Sequence, residues 1–418
     1  MHILLIHQAF AMNNEAGGTR HYELARKLVQ QGHRVTVIAS SVSYLTGQAR
    51  DSSRVRWKLH EQADGVDVER TWTYAALHRS FFHRLLSFFS FMISSFLCAL
   101  GVRDVDVMWG TSPPIFQGLT AYLVAFLRRI PFVFEVRDLW PDFAVELGVL
   151  RNRSLIWASR RLERFLYHHA KRVILNSPGF LPHLRSCGVP DDAIDLVPNG
   201  VDIGMFDPEN RGQDVRREAG LETDFVVVYA GAQGLANDLG TVLLAAKRLE
   251  AHPNITLVLL GDGKEHSNLI RQAEELALSN VRFIPAQPKA RMAAFLGAAD
   301  VCVAILKPIP LFSTVYPNKV FDYMAAGRPT ILAIDGVIRQ VIEAADGGVY
   351  VQPGNPQAIE EAVLTYFHDP DLRHRHGRAA RLYVAKHFDR GDHALKLEVA
   401  FQRACQREGN EPAHTTGL

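Results

Sequence analysis

One pattern, met twice along the chain, constrains the fold more than any other: short unbroken apolar runs separated by stretches of helical periodicity. The first series holds HILLIH (2–7), RVTVIA (34–39), VDVMWG (105–110), FVFEVR (132–137), RVILNS (172–177) and DLVPNG (195–200). The second holds FVVVYAG (225–231), ITLVLLGDG (255–263), VRFIPA (281–286), VCVAIL (301–306), PTILAID (329–335) and GGVYVQPG (347–354). Helical patterns fill the gaps, as at 19–31, 238–250, 265–278, 288–297 and 356–367. A strand that is apolar along its whole length is covered on both faces, the condition of a parallel sheet flanked by helices. The polar segment 198–224 divides the two series. The expected architecture is therefore α/β, with two doubly wound, Rossmann-like domains facing each other across a cleft. Their expected bounds are 1–190 and 198–385. A helix over 386–405 is expected to return to the N-terminal domain, and 406–418 to be a loose tail.

A chain of 418 residues has room for two such domains. Its 48% hydrophobic and 22% charged residues are those of a soluble globular protein. A net charge of +2 makes no general case for nucleic acid as a partner. The charge is uneven, however. Residues 1–199 carry 23 Lys and Arg against 17 Asp and Glu, and residues 200–418 carry 23 against 27. The N-terminal half is the one expected to meet an anionic surface. Cys98, Cys187, Cys302 and Cys405 are far apart and form no C-x-x-C pair, so they read as reduced thiols of a cytoplasmic protein. MHILLIHQAF lacks a basic start and a long apolar run, and reads as a first strand rather than a signal peptide.

One segment departs from the scheme. HRSFFHRLLSFFSFMISSFLCALG (78–101) has no charge between Arg84 and Arg103 and is rich in Phe. It reads either as a buried helix on the sheet or as a helix exposed to lipid headgroups, with Arg79 and Arg84 at its N-terminal end. A transmembrane span fits less well, because Ser residues interrupt it and a strand of the same sheet follows at once. The segment 151–172, with seven Lys and Arg and one Glu, reads as a solvated helix face or a landing site for anionic lipid.

Three glycine loops sit at strand ends. Gly17 and Gly18 precede a helix whose first turn carries Arg20 and His21. Gly231 and Gly234 follow a strand of the second series, and Gly261, Asp262 and Gly263 follow the next. Glycines there let backbone N–H groups approach an anion at a helix N-terminus, although a strand-to-helix turn also needs small residues. None of the three is a G-x-x-x-x-G-K-[ST] loop, so nucleoside triphosphate hydrolysis is not indicated. In YPNKVFDYMAAGRPTILA (316–333), Lys319 and Asp322 share one face of a short helix. They suit a phosphate and a pair of vicinal hydroxyls, or else form a surface ion pair. In FVFEVRDLWPD, Glu135, Arg137 and Asp138 fall at the end of a buried strand, where acceptor chemistry would sit in a cleft enzyme. Asp104-Val105-Asp106 is a D-x-D triplet before a strand and reads as loop, and no cluster has zinc spacing, so no metal is expected.

The ordered set GGTRHYELARKL, FEVRDLWPD, VPNGVD, YAGAQGLANDL, LGDG, PNKVFDYMAAGRP and VQPGNPQAIEEAV covers nearly the whole chain. It resembles the retaining glycosyltransferases of family 4, which have the GT-B fold, and within them the bacterial subgroup that builds surface polysaccharides from UDP-sugars on lipid-linked acceptors. The resemblance implies a metal-independent enzyme. It would move a sugar from a nucleotide-sugar co-substrate to an acceptor hydroxyl with retention, in the cytoplasm or at the inner face of the cytoplasmic membrane. The family carries Glu, seven residues, then Glu. Asp322 stands at the second position, which binds ribose, and Thr314 at the first, which meets the donor sugar. The donor set implied is Gly17, Gly18, Arg20, Gly231, Gly234, Gly261, Asp262, Phe283, Thr314, Asn318, Lys319 and Asp322. Asp138 and Lys319 are implied in catalysis, and Glu135, Arg137 and Asp138 in meeting the acceptor. The Gly231–Asp238 loop lacks the Arg and Lys that often hold the diphosphate, so that charge falls to Lys319 and loop amides. Two rivals share the fold: a UDP-sugar epimerase, which needs no acceptor, and a non-catalytic nucleotide-sugar-binding subunit.

Overall fold

A computed structural model of the protein describes residues 1–43, 47–50, 57–75 and 81–406. The expected tail and Arg79 lie outside the described residues. Two sheets organise the chain. The first has eight strands in the order β3-β4-β2-β1-β5-β6-β7-β8. These are β1 (His2–Ile6), β2 (Arg34–Ser40), β3 (Lys58–Ala63), β4 (Val66–Thr71), β5 (Val107–Ser112), β6 (Phe132–Val136), β7 (Arg172–Leu175) and β8 (Ile194–Leu196). The second has six, in the order β11-β10-β9-β12-β13-β14. They are β9 (Phe225–Ala230), β10 (Ile255–Leu260), β11 (Val281–Ile284), β12 (Val301–Ile305), β13 (Thr330–Ala333) and β14 (Gly348–Tyr350).

The second sheet is parallel throughout, and the first is parallel except where β3 pairs antiparallel with β4 at its edge. That hairpin was not anticipated. Its strands alternate, β3 between exposed and half-buried positions and β4 between half-buried and buried ones, rather than running apolar, and its turn is Asp64-Gly65, both at positive φ. The Asp-Gly pair was the available signal. In both sheets the strand order reverses beside the first strand of the series, β1 or β9, which opens a crevice at the carboxyl ends of the central strands.

Each sheet has a core on both faces. Ile3 and Leu5 of β1 face one cluster and Leu4 and Ile6 the other, and β9 divides in the same way. The helix Arg390–Cys405 lies against the helix Arg20–Gln30 and the backs of β5 to β8. It buries Ala394, Leu397, Ala400 and Phe401 in the N-terminal core.

The uncharged segment forms the helix Phe81–Gly101, which lies along β2, β4 and the helix Ile115–Arg128. By length and composition it could cross a membrane, yet it is docked lengthwise on the sheet. Ser87, Phe91, Ser94, Ser95, Cys98 and Ala99 point inward. Phe82, Leu86, Phe89, Ile93, Leu97 and Leu100 form an exposed stripe at helical spacing. Of the two readings, the helix combines both: one face is packed on the sheet and the other is exposed.

Candidate functional site

The second half of the crevice is built around two glycine loops pressed together. The backbone N–H of Gly231 donates to Leu260, and that of Gln233 to the carbonyl of Asp262. Gln233 is fully buried; its amide reaches the carbonyls of Leu259 and Gly261, and its oxygen meets His266 Nδ1 at 2.6 Å. A Cβ at Gly261, which has φ +144°, would lie 1.9 Å from the carbonyl oxygen of Gly231. Only glycine allows this approach. Gly234 has open space beside Asn237, and the Asp262 carboxylate accepts from the Gly263 N–H at 2.7 Å.

Lys319 enters this space from the first turn of the helix Asn318–Ala325. Its Nζ donates to the Tyr229 hydroxyl at 2.6 Å and to Asn237 Oδ1 at 3.1 Å, and lies over the Tyr229 ring. A Cβ at Gly231 would come within 3.2 Å of that Nζ, so this glycine makes room for the ammonium. Among the described residues no carboxylate pairs with Lys319. Burial without an anion pushes its pKa down to about 7. Asn318 beside it has a buried side-chain oxygen with no protein partner. Tyr229 and Asn237 were not singled out from sequence. They flank the Gly231 loop in YAGAQGLAND, and only the fold shows that both turn toward Lys319.

Asp322, one turn on, is held by Lys289 Nζ at 2.6 Å. The expected alternative of a Lys319–Asp322 surface pair is not what forms, since each has a different partner. Lys289 had no distinguishing signal, being one lysine at the start of a helix, 33 residues from Asp322. Thr314 turns its hydroxyl to the Leu311 carbonyl, and its own carbonyl accepts from Ser177 Oγ at 2.5 Å across the cleft. Phe283 is half-buried on β11, edge-on to His266.

The N-terminal half of the crevice is arranged differently. Gly17, at φ +147°, and Gly18 sit in the loop after β1. Arg20 is buried, and its guanidinium binds Glu135 at 2.8 Å and the carbonyls of Val197 and Pro198. His21 Nε2 meets the other oxygen of Glu135 at 2.5 Å. Burial alone would raise the Glu135 carboxyl, but His21 and Arg20 hold it well below the usual carboxylate range. Burial pulls the His21 imidazole down and Glu135 opposes that, and the ring Nε2 faces the carboxylate. Arg20, expected at a phosphate, and Glu135, expected at the acceptor, here pair with each other inside the domain. Arg137 also turns inward, to the carbonyls of Ser112 and Pro113. Half-buried Asp138, beside it in the sequence, has no salt-bridge partner among the described residues. Its carboxyl is pushed up to about 6 by burial, which Arg137 only partly opposes.

One group of metal-ligating type exists among the described residues, formed by Glu163, His183 and Cys187. It lies outside the crevice, and Glu163 already accepts from Tyr167 and His183 there.

Comparison with known proteins places the chain. Residues 16–200 match the family model described as a glycosyl transferase 4-like domain, and residues 212–383 that described as glycosyl transferases group 1. A relative from Escherichia coli (strain K12), named as the colanic acid biosynthesis glycosyl transferase WcaI, is 24% identical over 88% of this chain and 91% of its own. Among solved structures, Anabaena Alr3699/HepE in complex with UDP-glucose superposes with a TM-score of 0.72 at 16% identity, covering 96% of this chain and 99% of that one. Sucrose-phosphate synthase from Thermosynechococcus elongatus gives 0.74 at 18% identity, over 96% and 98%.

Proposed function

This chain is a glycosyltransferase of GT-B architecture, and from that premise we propose that it transfers a sugar from a UDP-linked donor to an acceptor hydroxyl of a lipid-linked saccharide, with retention of configuration, in envelope or extracellular polysaccharide synthesis. The observation that carries the donor reading is Lys319. A lysine sits at a helix N-terminus, against the Gly231 loop, and its hydrogen-bond partners among the described residues are neutral. A diphosphate supplies the missing anion. The donor reading takes support from the solved HepE complex with UDP-glucose, and the pathway reading from the name of WcaI.

In this reading Asp322 accepts hydrogen bonds from the ribose hydroxyls. Lys319 and the N–H groups of the glycine loops stabilise the departing diphosphate, which carries more charge in the transition state than in the donor. Thr314, on the segment that closes against Ser177, faces the sugar. Asp138, with no ion-pair partner of its own, takes the place of the group that orients the acceptor hydroxyl or the sugar. No step requires a metal. Catalysis rests on position and on preorganised charge.

The lipid-linked acceptor is supported by the outer face of the N-terminal domain. The exposed stripe of the helix Phe81–Gly101 is continued on the adjoining helix Ile115–Arg128 by Leu123, Phe126 and Leu127. The next helix, Arg153–His169, adds Leu155 and Trp157, with Arg161 over the Trp157 ring, and exposes Arg153 and Arg164, with Arg151 exposed just before it. Apolar surface ringed by arginine fits the anionic cytoplasmic leaflet. Co-sedimentation with anionic liposomes at low salt, weakened by 0.5 M salt where the Debye length falls to roughly 4 Å, is the expected result; no binding at low salt removes the membrane contact. The reaction itself is tested with a panel of UDP-sugars, with and without membrane extract. Turnover only with extract supports the transferase. Consumption without extract points to epimerase chemistry, and UDP binding without turnover to a non-catalytic subunit.

A further inference from the structure

Asp322 is a short carboxylate in a crowded place. One oxygen, Oδ2, accepts from Lys289 Nζ at 2.6 Å, and the two side chains are 16% and 11% exposed. No donor among the described residues occupies Oδ1. Lys289 opens the helix Lys289–Gly297, and its ammonium also lies 5.5 Å from the centre of the Phe206 ring. Its place is fixed from across the cleft. The backbone N–H groups of Lys289 and Ala290 donate to the carbonyls of Glu15 and Asn13, at 3.4 and 3.0 Å. The Glu15 side chain is in turn held by Arg50, by Arg70 and by the N–H of Met12. The loop that carries Gly17 and Gly18 thus seats the start of the helix that carries Lys289.

We propose that Lys289 is a positioning residue of the ribose subsite: its ammonium fixes Oδ2 of Asp322 and turns Oδ1 toward the vicinal hydroxyls of the nucleotide. The inference rests on the reading of Asp322 as the ribose acceptor and adds to it a group that the nucleotide itself does not touch. A carboxylate has room for several donors, so one lysine leaves an oxygen free. The lysine also favours the ionised form of Asp322. Burial pushes the Asp322 carboxyl above its usual range, and Lys289 opposes that. The other charged groups facing it are Glu23 on the helix Arg20–Gln30, which works against ionisation, and Arg390 on the helix Arg390–Cys405, which favours it. Lys319 stands one turn before it on its own helix. Arg390 is already engaged with Glu23 at 2.9 Å, so removal of Lys289 leaves Asp322 without a dedicated cation.

The test is calorimetric titration of the full chain with UDP and with 2′,3′-dideoxy-UDP at pH 6 and pH 8, in wild type, Lys289→Met and Lys289→Arg. The ratio of the two dissociation constants reads the hydroxyl contacts alone. In wild type it is expected to be roughly 10- to 150-fold, the value of a charged hydrogen bond. In Lys289→Met the ratio should collapse, and more at pH 6 than at pH 8, because without the ammonium burial is left to favour the protonated Asp322 carboxyl. Dideoxy-UDP should bind as in wild type, and Lys289→Arg should restore the ratio. A Lys289→Met ratio equal to wild type at both pH values overturns the proposal alone. So does an equal loss for both ligands, which marks a distorted pocket. A wild-type ratio near one overturns the ribose reading and this inference together.

Discussion

The two halves of the crevice begin alike and end differently. Each has a buried strand, a glycine loop and a helix, with a basic side chain close to the loop, carried by the following helix in one half and by the separate helix Asn318–Ala325 in the other. In the N-terminal half that residue is Arg20, neutralised inside the domain by Glu135 and two backbone carbonyls. In the C-terminal half it is Lys319, which has a hydroxyl, an amide and no carboxylate. A basic residue beside a glycine loop is an internal strut in one domain and, in the proposed reading, an anion seat in the other. A net charge per half misleads here. The N-terminal half is the more basic, yet the cation left for a small anionic ligand lies in the acidic half. The excess positive charge of the N-terminal half is on its outer face, around the apolar helices.

The sharpest way to break this comparison is to remove the anion from the buried pair. Glu135→Gln leaves Arg20 charged and unpaired in the interior, and is expected to cost about 3–5 kcal/mol of stability. Lys319→Met removes a cation that burial already disfavours, so urea denaturation of that variant should give a stability equal to or above wild type. Similar losses in both would show that the two residues have the same structural role. The Glu135 contribution also has a pH sign. Its carboxyl is held low in the folded state, so its stability is present above the ordinary carboxylate range and is lost as pH falls through it.

How much of this was legible in the sequence follows from what each residue needs. The parallel strands announce themselves, because burial on both faces demands unbroken apolar runs. The edge hairpin does not, because its exposed face is polar. Lys319 and Asp322 could be paired from helical spacing, but their actual partners come from β9, the loop after it, and a helix 33 residues away. Arg20 and Glu135 looked like site residues because they stand at strand and helix ends. Only packing shows them 115 residues apart in sequence and in contact. Resemblance supplied what periodicity could not, the reading of Asp322 as a ribose acceptor.

Asp138 sharpens the comparison within the N-terminal half, since it is the carboxylate there that Arg20 and His21 do not hold. Asp138→Asn should lower turnover on the order of 10²-fold or more, with UDP affinity near wild type. Its carboxyl, pushed up to about 6, should give wild-type turnover a limb that rises through that pH and is absent from the variant. Unchanged turnover would leave the N-terminal half with no reacting carboxylate.

A smaller effect is expected at the diphosphate. Lys319→Met should weaken UDP by roughly 10- to 150-fold, the value of a charge-assisted hydrogen bond, and leave uridine almost unaffected. Arg20→Lys, which keeps the charge and loses the fork geometry, should instead lower stability and change both ligands alike. Competition titrations of the two nucleotides decide it; a uridine loss as large as that of UDP would mean that Lys319 shapes the pocket rather than meeting phosphate.

The smallest effect separates the two basic residues by pH. Arg20 keeps its proton across the working range, since burial brings it down only to about 10. Lys319 is brought down to about 7. Without ligand, it loses its proton as pH rises through that value. A bound diphosphate favours the charged form, so binding takes up a proton above pH 7, and affinity for a UDP-sugar should fall with rising pH by at most about tenfold per unit. The diphosphate of a UDP-sugar has no proton to lose in this window, and Asp138 is already ionised there, so the trend belongs to the lysine. Stability should move the other way. The unfolded chain holds the lysine proton up to its ordinary range while the folded one has released it, so the ligand-free protein becomes more stable between pH 7 and 9. Lys319→Met should flatten both trends. Calorimetry and urea denaturation at pH 7, 8 and 9 measure them, and a UDP-sugar affinity that does not change over that range would show that Lys319 holds its proton in the free protein, as Arg20 does.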